Sequence, residues 1–127
     1  MSGFLKKILV LDDEADIVAF LANFLKRKRI KVFQTTSFDR GLELFGQEKP
    51  DLILLDINMP GLDGFEFLRH IRKNDNKVKI VMVTGNEDKG SMNKALKLGA
   101  DGYVTKPLEL KELYRIVSGY LKIKKER

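Results

Sequence analysis

The run Leu52-Ile53-Leu54-Leu55 contains no polar residue, and the next position is Asp56. Successive side chains of an extended strand point to opposite faces, so four apolar residues in a row leave no face for solvent. A strand of this kind must be covered on both sides, as in parallel sheets sandwiched between helices. Three other segments have the same form. Leu9-Val10-Leu11 ends in Asp12-Asp13, Ile80-Val81-Met82-Val83 ends in Thr84-Gly85, and Tyr103-Val104-Thr105 ends in Lys106-Pro107. With one further β-rich run, the strands predicted are about Lys7–Leu11, Ile30–Thr35, Leu52–Asp56, Lys79–Thr84 and Gly102–Thr105.

Between these runs the apolar period becomes helical. Ile17, Val18, Phe20, Leu21, Phe24 and Leu25 make one stripe, and Phe38, Leu42 and Phe45 a second. Phe65, Leu68 and Ile71 make a third, and Met92, Ala95 and Leu96 a shorter fourth. Leu110, Leu113, Ile116, Val117, Tyr120 and Leu121 make the last. Five βα repeats, joined by links as short as Gly99-Ala100-Asp101-Gly102, predict an α/β sandwich around a doubly wound parallel sheet. No linker or low-complexity segment divides the chain. Its 127 residues read as one domain, with a core at about 6–122 and a short basic tail.

Composition removes several classes of function. The chain has no Cys, which excludes disulfides and thiolate metal sites and fits a reducing cytosol. No apolar segment is long enough for a signal peptide or a membrane span, so the expected location is cytoplasmic, with no membrane partner. The net charge of +6 sits mainly in Lys26-Arg27-Lys28-Arg29 and in Lys122, Lys124, Lys125 and Arg127. The first group reads as the last turn of a helix, where cations complement the helix dipole, and the second as a terminal tail. Without aromatic interleaving or a binding motif, these read as solvated helix ends, and no direct contact with nucleic acid is expected.

In open α/β sheets, ligands bind at the carboxyl ends of the strands. Asp12, Asp13, Asp56, Thr84 and Lys106 all fall at such ends. Singly, each has an ordinary explanation. Asp13 could cap the following helix, with Asp16 three residues on, and Pro107 could open the last helix. Asp56 could be a turn acid, Thr84 a strand-end β-branched residue and Lys106 a surface cation. Together, at the ends of strands one, three, four and five, they favour a site. Three carboxylates at close range repel one another and call for a cation. Oxygen-only donors favour Mg²⁺, with Mn²⁺ an alternative, and a backbone carbonyl near Asn58 could complete the shell. Asp56 is then the candidate nucleophile, able to attack a phosphoryl group and form an acyl phosphate. Lys106 can approach as a point charge, and Thr84 can donate its hydroxyl to a phosphoryl oxygen. His70, the lone histidine, reads as a surface residue.

These residues resemble the receiver domain of two-component response regulators. The matching blocks are Ile8 to Glu14, Asp51 to Gly64 (DLILLDINMPGLDG), Val81 to Gly85 and Gly99 to Pro107 (GADGYVTKP). The resemblance covers nearly the whole chain. It implies a flavodoxin-like (βα)₅ fold with strand order 2-1-3-4-5, an order the general rule for such sheets already illustrates with this family. It implies that Asp56 accepts phosphate from a sensor histidine kinase or a histidine phosphotransfer protein. Asp12 and Asp13 would hold Mg²⁺ with Asp56 and the Asn58 carbonyl. Thr84 and Lys106 would contact the phosphoryl group, and the Lys106-Pro107 bond would be cis. Asn58 and Asn86 match positions that tune phosphate lifetime in the family. Thr84 would be coupled to Tyr103, and the face of the fourth helix, fifth strand and fifth helix would report the state to an effector. A protein of this kind is a switch that catalyses its own phosphorylation and dephosphorylation, not a turnover enzyme.

There is one departure. Receivers attached to winged-helix DNA-binding domains often carry a second acid where this chain has Gly102, and an Arg where it has Ile116. That argues against a charge-paired dimer, and a stand-alone receiver is the expectation. Two other readings compete. An aspartyl-phosphate phosphatase would place a second Asp two residues after its nucleophile, where this chain has Asn58. A nucleotide-binding flavodoxin-like module would need a phosphate-cradling loop after the first strand, and none is present.

Overall fold

The computed structural model describes residues 6–59, 62–85 and 89–122. The side chains of Ile17 and Asn58, the residue Asn86, and Lys124, Lys125 and Arg127 lie outside the described part. Five strands form one sheet: β1 (Lys6–Leu11), β2 (Ile30–Thr35), β3 (Leu52–Asp56), β4 (Lys79–Thr84) and β5 (Gly102–Thr105). All neighbours are parallel, in the order β2-β1-β3-β4-β5. The helices are α1 (Ala15–Arg27), α2 (Phe38–Glu48), α3 (Gly64–Asn74), α4 (Lys89–Lys97) and α5 (Leu110–Leu121). A two-residue antiparallel ribbon, Asn58–Met59 with Leu62–Asp63, leads from β3 into α3.

The continuous apolar strands divide by parity between two cores. Leu9, Leu11, Ile53, Leu55, Ile80 and Met82 join one cluster with Leu44, Phe67, Leu68, Ile71 and Ala95, which come from α2, α3 and α4. Ile8, Val10, Leu52, Leu54, Val81, Val83 and Val104 join the other with Val18, Leu21, Leu25, Leu113, Val117 and Leu121, from α1 and α5. β3 is buried at every position, as a strand covered on both faces must be.

The helix stripes need correction in detail. Val18, Leu21 and Leu25 are buried, but Phe20 is 58% exposed. At about 100° per residue Phe20 lies roughly 200° around α1 from Val18, on the far side. In α2 the buried residues are Gly41 and Leu44, while Phe38, Leu42 and Phe45 are only partly buried around the core. A Cβ on Gly41 would stand 2.9 Å from both Leu11 and Phe67 side-chain carbons, so the helix lies close on the sheet only because this residue has none. In α3 the expected stripe omits Phe67, which is fully buried and meets Phe38 edge-on at 5.3 Å. Phe65 is partly buried and lies under the Lys94 ammonium at 4.5 Å. Leu96 of α4 is exposed, whereas Met92 and Ala95 are buried. Pro107 does not open the last helix: α5 begins at Leu110, with Glu109 as its N-cap. His70 is exposed, beside the Phe38 ring.

Candidate functional site

Parallel register brings the strand ends level. Leu11 pairs with Leu55, so Asp12 follows β1 opposite Asp56 on β3. Asp56 pairs with Val83, which places Thr84 one step further along the adjacent β4. Thr84 pairs with Thr105, and the Lys106 amide donates to the Thr84 carbonyl at 2.7 Å, extending the ladder to the lysine. The Lys106–Pro107 peptide bond is cis. Four separate pieces of chain thus end on one edge of the sheet.

The side chains meet there. Asp12, Asp13 and Asp56 each offer a carboxylate oxygen within 4.8 Å of the others. Asp12 and Asp56 are each 3% exposed, Thr84 is 2% exposed, and Asp13 faces solvent. The Lys106 Nζ lies 3.1 Å from Asp56 Oδ2, 3.4 Å from Asp12 Oδ2 and 2.6 Å from Glu14 Oε1. Two nearly buried acids sharing one ammonium have little water to screen them. Burial pushes the Asp12 carboxyl above the ordinary aspartate range, and the Asp56 charge adds to this; the Glu14 N–H and Lys106 pull the other way and do not offset it. Burial alone would lower the Lys106 ammonium, but hydrogen bonds to Glu14 and Asp56 and the nearby charges of Asp12 and Asp56 hold it above the usual lysine value. The lysine therefore stays charged at any ordinary pH.

Local structure fixes these positions. Asp12 Oδ1 accepts from the Glu14 amide at 2.9 Å, which turns the chain from β1 into α1. Asp13 is not the helix cap: Glu14 holds the N-cap position and makes no side-chain capping bond. At α3 the Asp63 side chain accepts from the Phe65 and Glu66 amides at 3.0 and 3.2 Å. Gly64, just after it, lies against the backbone at Asp56 and Ile57. A Cβ there would stand 3.1 Å from the Asp56 carbonyl oxygen and 3.1 Å from the Ile57 Cα. Tyr103 is 43% exposed on the outer strand. It lines a groove of about 360 Å³ with Pro107, Leu108, Glu112 and Ile116.

Sequence reasoning named the three acids, Thr84 and Lys106, and the structure brings the acids and the lysine into one group. It assigned nothing to Glu14 or Gly64. For Glu14 a signal existed, since it is the third acid of the run Asp12-Asp13-Glu14. For Gly64 none did, because close backbone approach is a tertiary fact.

The donors are carboxylate oxygens alone, close together and partly exposed, so the acidic group fits a hard divalent cation. A doubly wound sheet that carries such a group and a lysine at its carboxyl edge defines the receiver class of signalling domains. The family model described as response regulator receiver domain matches residues 8–118. The chain therefore belongs to the response regulator receiver family, and is a receiver domain of the two-component type. It is 38% identical over 117 residues to the alkaline phosphatase synthesis transcriptional regulatory protein PhoP of Bacillus subtilis, covering 92% of this chain and 49% of that protein. Over 108 residues it is 43% identical to the probable transcriptional regulator ycf27 of Guillardia theta, covering 85% and 42%. The chain thus spans less than half the length of these curated relatives. Among solved structures, a two-component response regulator from Clostridium difficile superposes with a TM-score of 0.88 at 31% identity, covering 94% of this chain and 98% of that one. The BeF3-activated receiver domain of RstA from Klebsiella pneumoniae gives 0.84 at 29% identity, covering 91% and 98%.

Proposed function

We propose that residues 1–127 act as one receiver domain, with its core at about 6–122 and a short basic tail, in which Asp56 is the phosphoacceptor. The observation that carries this reading is the Lys106 ammonium 3.1 Å from Asp56, beside two further acids within 4.8 Å. An Asp56 oxygen attacks the phosphorus of a donor phosphohistidine. The new O–P bond forms as the P–N bond breaks, and its electron pair leaves on the imidazole. Lys106 takes up charge on the phosphoryl oxygens, and the Thr84 hydroxyl donates to one of them. Asp12, Asp13, Asp56 and the Asn58 carbonyl would hold Mg²⁺, or Mn²⁺ in its place. When bound, that cation offsets charge on the transferring group.

The donor on this reading is a sensor histidine kinase or a histidine phosphotransfer protein. The same residues release phosphate again, at a rate that Asn58 and Asn86 adjust, so the domain is a switch of its own state and not a turnover enzyme. An aspartyl phosphate carries about −1.5 to −2 of charge at neutral pH where the free carboxylate carries −1, so phosphorylation adds about −0.5 to −1 at the site. Drawing Thr84 toward it would leave room for Tyr103 to turn inward from its exposed position. The surface of α4, β5 and α5 would then change for an effector protein or domain. A mostly inactive to mostly active shift needs a differential of about 5.5 kcal/mol at the extreme, so a partial shift is expected. No described helix is long and apolar enough to cross a membrane, and we place the domain in the cytoplasm. The RstA receiver is described as BeF3-activated; beryllium fluoride is a compact stand-in for a phosphoryl group on a carboxylate, and the likeness supports the same chemistry here.

The test is phosphotransfer from acetyl phosphate with Mg²⁺, read by intact mass. Wild type should gain one phosphoryl group, and Asp56→Asn should lose at least nine-tenths of the label. Equal labelling of the two proteins rejects Asp56 as acceptor.

A further inference from the structure

The nearest neighbour of the Lys106 ammonium is outside the three-acid group. Nζ lies 2.6 Å from Glu14 Oε1, against 3.1 Å to Asp56 and 3.4 Å to Asp12. An ammonium has three N–H donors, and three carboxylates stand around this one. Glu14 differs from the other two in place and in environment. Its side chain is 49% exposed, where those of Asp12 and Asp56 are 4% exposed. It occupies the N-cap position of α1, yet its carboxylate makes no capping bond and turns to Lys106 instead. It is not among the acids grouped to take a cation.

We propose that Glu14 is a competitor for Lys106, a positioning residue that holds part of the ammonium's bonding capacity away from an incoming phosphoryl group. The inference rests on the reading of Asp56 as phosphoacceptor. With acetyl phosphate, an Asp56 oxygen forms a bond to phosphorus while the bond from phosphorus to the acetate oxygen breaks. The electron pair leaves on acetate, and no proton changes hands. The phosphoryl oxygens then need N–H donors that point at Glu14, and they meet a carboxylate of their own sign. Glu14 also helps to keep Lys106 in place, so two effects oppose. The geometry decides between them. Asp56 and Asp12 hold the ammonium from the buried side, where solvent screens little, whereas the half-exposed Glu14 contact is screened and adds little to its position. Removing Glu14's charge therefore frees a donor and removes a repulsion while Lys106 stays near Asp56.

The experiment compares labelling by acetyl phosphate, at saturating Mg²⁺ for each protein, in wild type, Glu14→Gln, Lys106→Met, the double variant and Asp56→Asn. Glu14→Gln should label about two- to fivefold faster at low donor concentration, the scale of one exposed ion pair. The gain should lie in a lower half-saturating donor concentration, not in the limiting rate, and should fade as salt is raised. In the Lys106→Met background Glu14→Gln should bring no gain. A wild type that labels on Asp56 while Glu14→Gln labels no faster overturns this inference alone, as does an equal gain without Lys106. A wild type labelled no more than Asp56→Asn overturns the phosphoacceptor reading and this inference with it.

Discussion

Asp12 shows at the scale of one residue how site and stability oppose each other. It is 3% exposed and stands beside Asp56, and burial followed by that neighbouring charge keeps its carboxyl above the ordinary aspartate range. An acid whose folded pKa is raised binds its proton more tightly when folded. Ionisation of Asp12 therefore costs stability above its folded pKa and costs nothing below the unfolded value, where both states are protonated. Asp12→Asn removes that cost, and the amide oxygen can still accept from the Glu14 amide. The metal-free variant should be more stable than wild type at neutral pH, because a neutral amide escapes both the burial cost and the repulsion from Asp56. The difference should close as pH falls to the unfolded aspartate range. Urea midpoints from pH 3.5 to 7.5 measure it, and a constant difference across that range would contradict the assignment. Added Mg²⁺ should stabilise wild type more than the variant, because binding to the native state alone shifts the midpoint.

Among the elements, the exit from α3 depends on one side chain. Asp75 follows the helix, and its Oδ1 accepts from the amides of Lys77 at 2.6 Å and Val78 at 2.9 Å, which sets the turn into β4. The Val78 bond is the chief reason its carboxyl lies below the usual range. Burial opposes this, while the Lys77 amide and the charge of Arg72 assist. A depressed folded pKa gives stability that is present above the unfolded pKa and is lost as pH falls through the folded one. Asp75→Ala should cost about 1–2 kcal/mol at pH 7, the net worth of two hydrogen bonds to a charged acceptor at a partly exposed turn. That penalty should shrink as the solution is acidified, as denaturant midpoints at pH 7 and pH 3 would reveal. The corresponding turn at the start of α3 uses Asp63 on the Phe65 and Glu66 amides, so both ends of this helix are set by aspartates.

For the molecule as a whole, the edge of the sheet opposite the acids is tied by Arg72. Its guanidinium donates to the Gly99 carbonyl at 2.8 Å, the Asp75 carbonyl at 3.1 Å and Asp101 Oδ2 at 2.9 Å. Asp101 Oδ2 also accepts from the Ile80 amide at 2.8 Å, and the Tyr120 hydroxyl donates to the Asp101 carbonyl at 2.8 Å. α3, β4, the loop before β5 and α5 are joined in this way at the amino ends of the strands. Gly99, at φ 108°, is packed against the Arg72 side chain. A Cβ on Gly102 would collide with the Tyr120 hydroxyl. A side chain at position 102, an acid included, thus meets a local steric obstacle in this chain. Arg72→Ala takes the guanidinium from the Asp101 carboxylate and from the Gly99 and Asp75 carbonyls and should lower global stability by about 2–4 kcal/mol. Labelling of the folded protein by acetyl phosphate should stay within about twofold of wild type, since the clamp and the acids occupy opposite edges. A large loss of labelling with intact stability would place Arg72 in the site instead.

At this same scale the chain's own pattern accounted for much. Uninterrupted apolar runs such as Leu52–Leu55 demand two covered faces, and polar residues following them must emerge at one edge when the strands are parallel. That was enough for the fold class, all five strand positions and the acids, hydroxyl and lysine of the carboxyl edge. Helix faces were less legible. A stripe containing Phe20 or omitting Phe67 is compatible with periodicity, and only the sheet beneath decides which arc is covered. Pairings across long separations were not legible at all. Glu14 meets Lys106 across 92 positions and Arg72 meets Asp101 across 29, and nothing local in the sequence distinguishes either pair from the chain's other charges. Local pattern depends on spacing along the chain, so it survives in the sequence, whereas a salt bridge or a close glycine depends on distances that exist only once the sheet has set them.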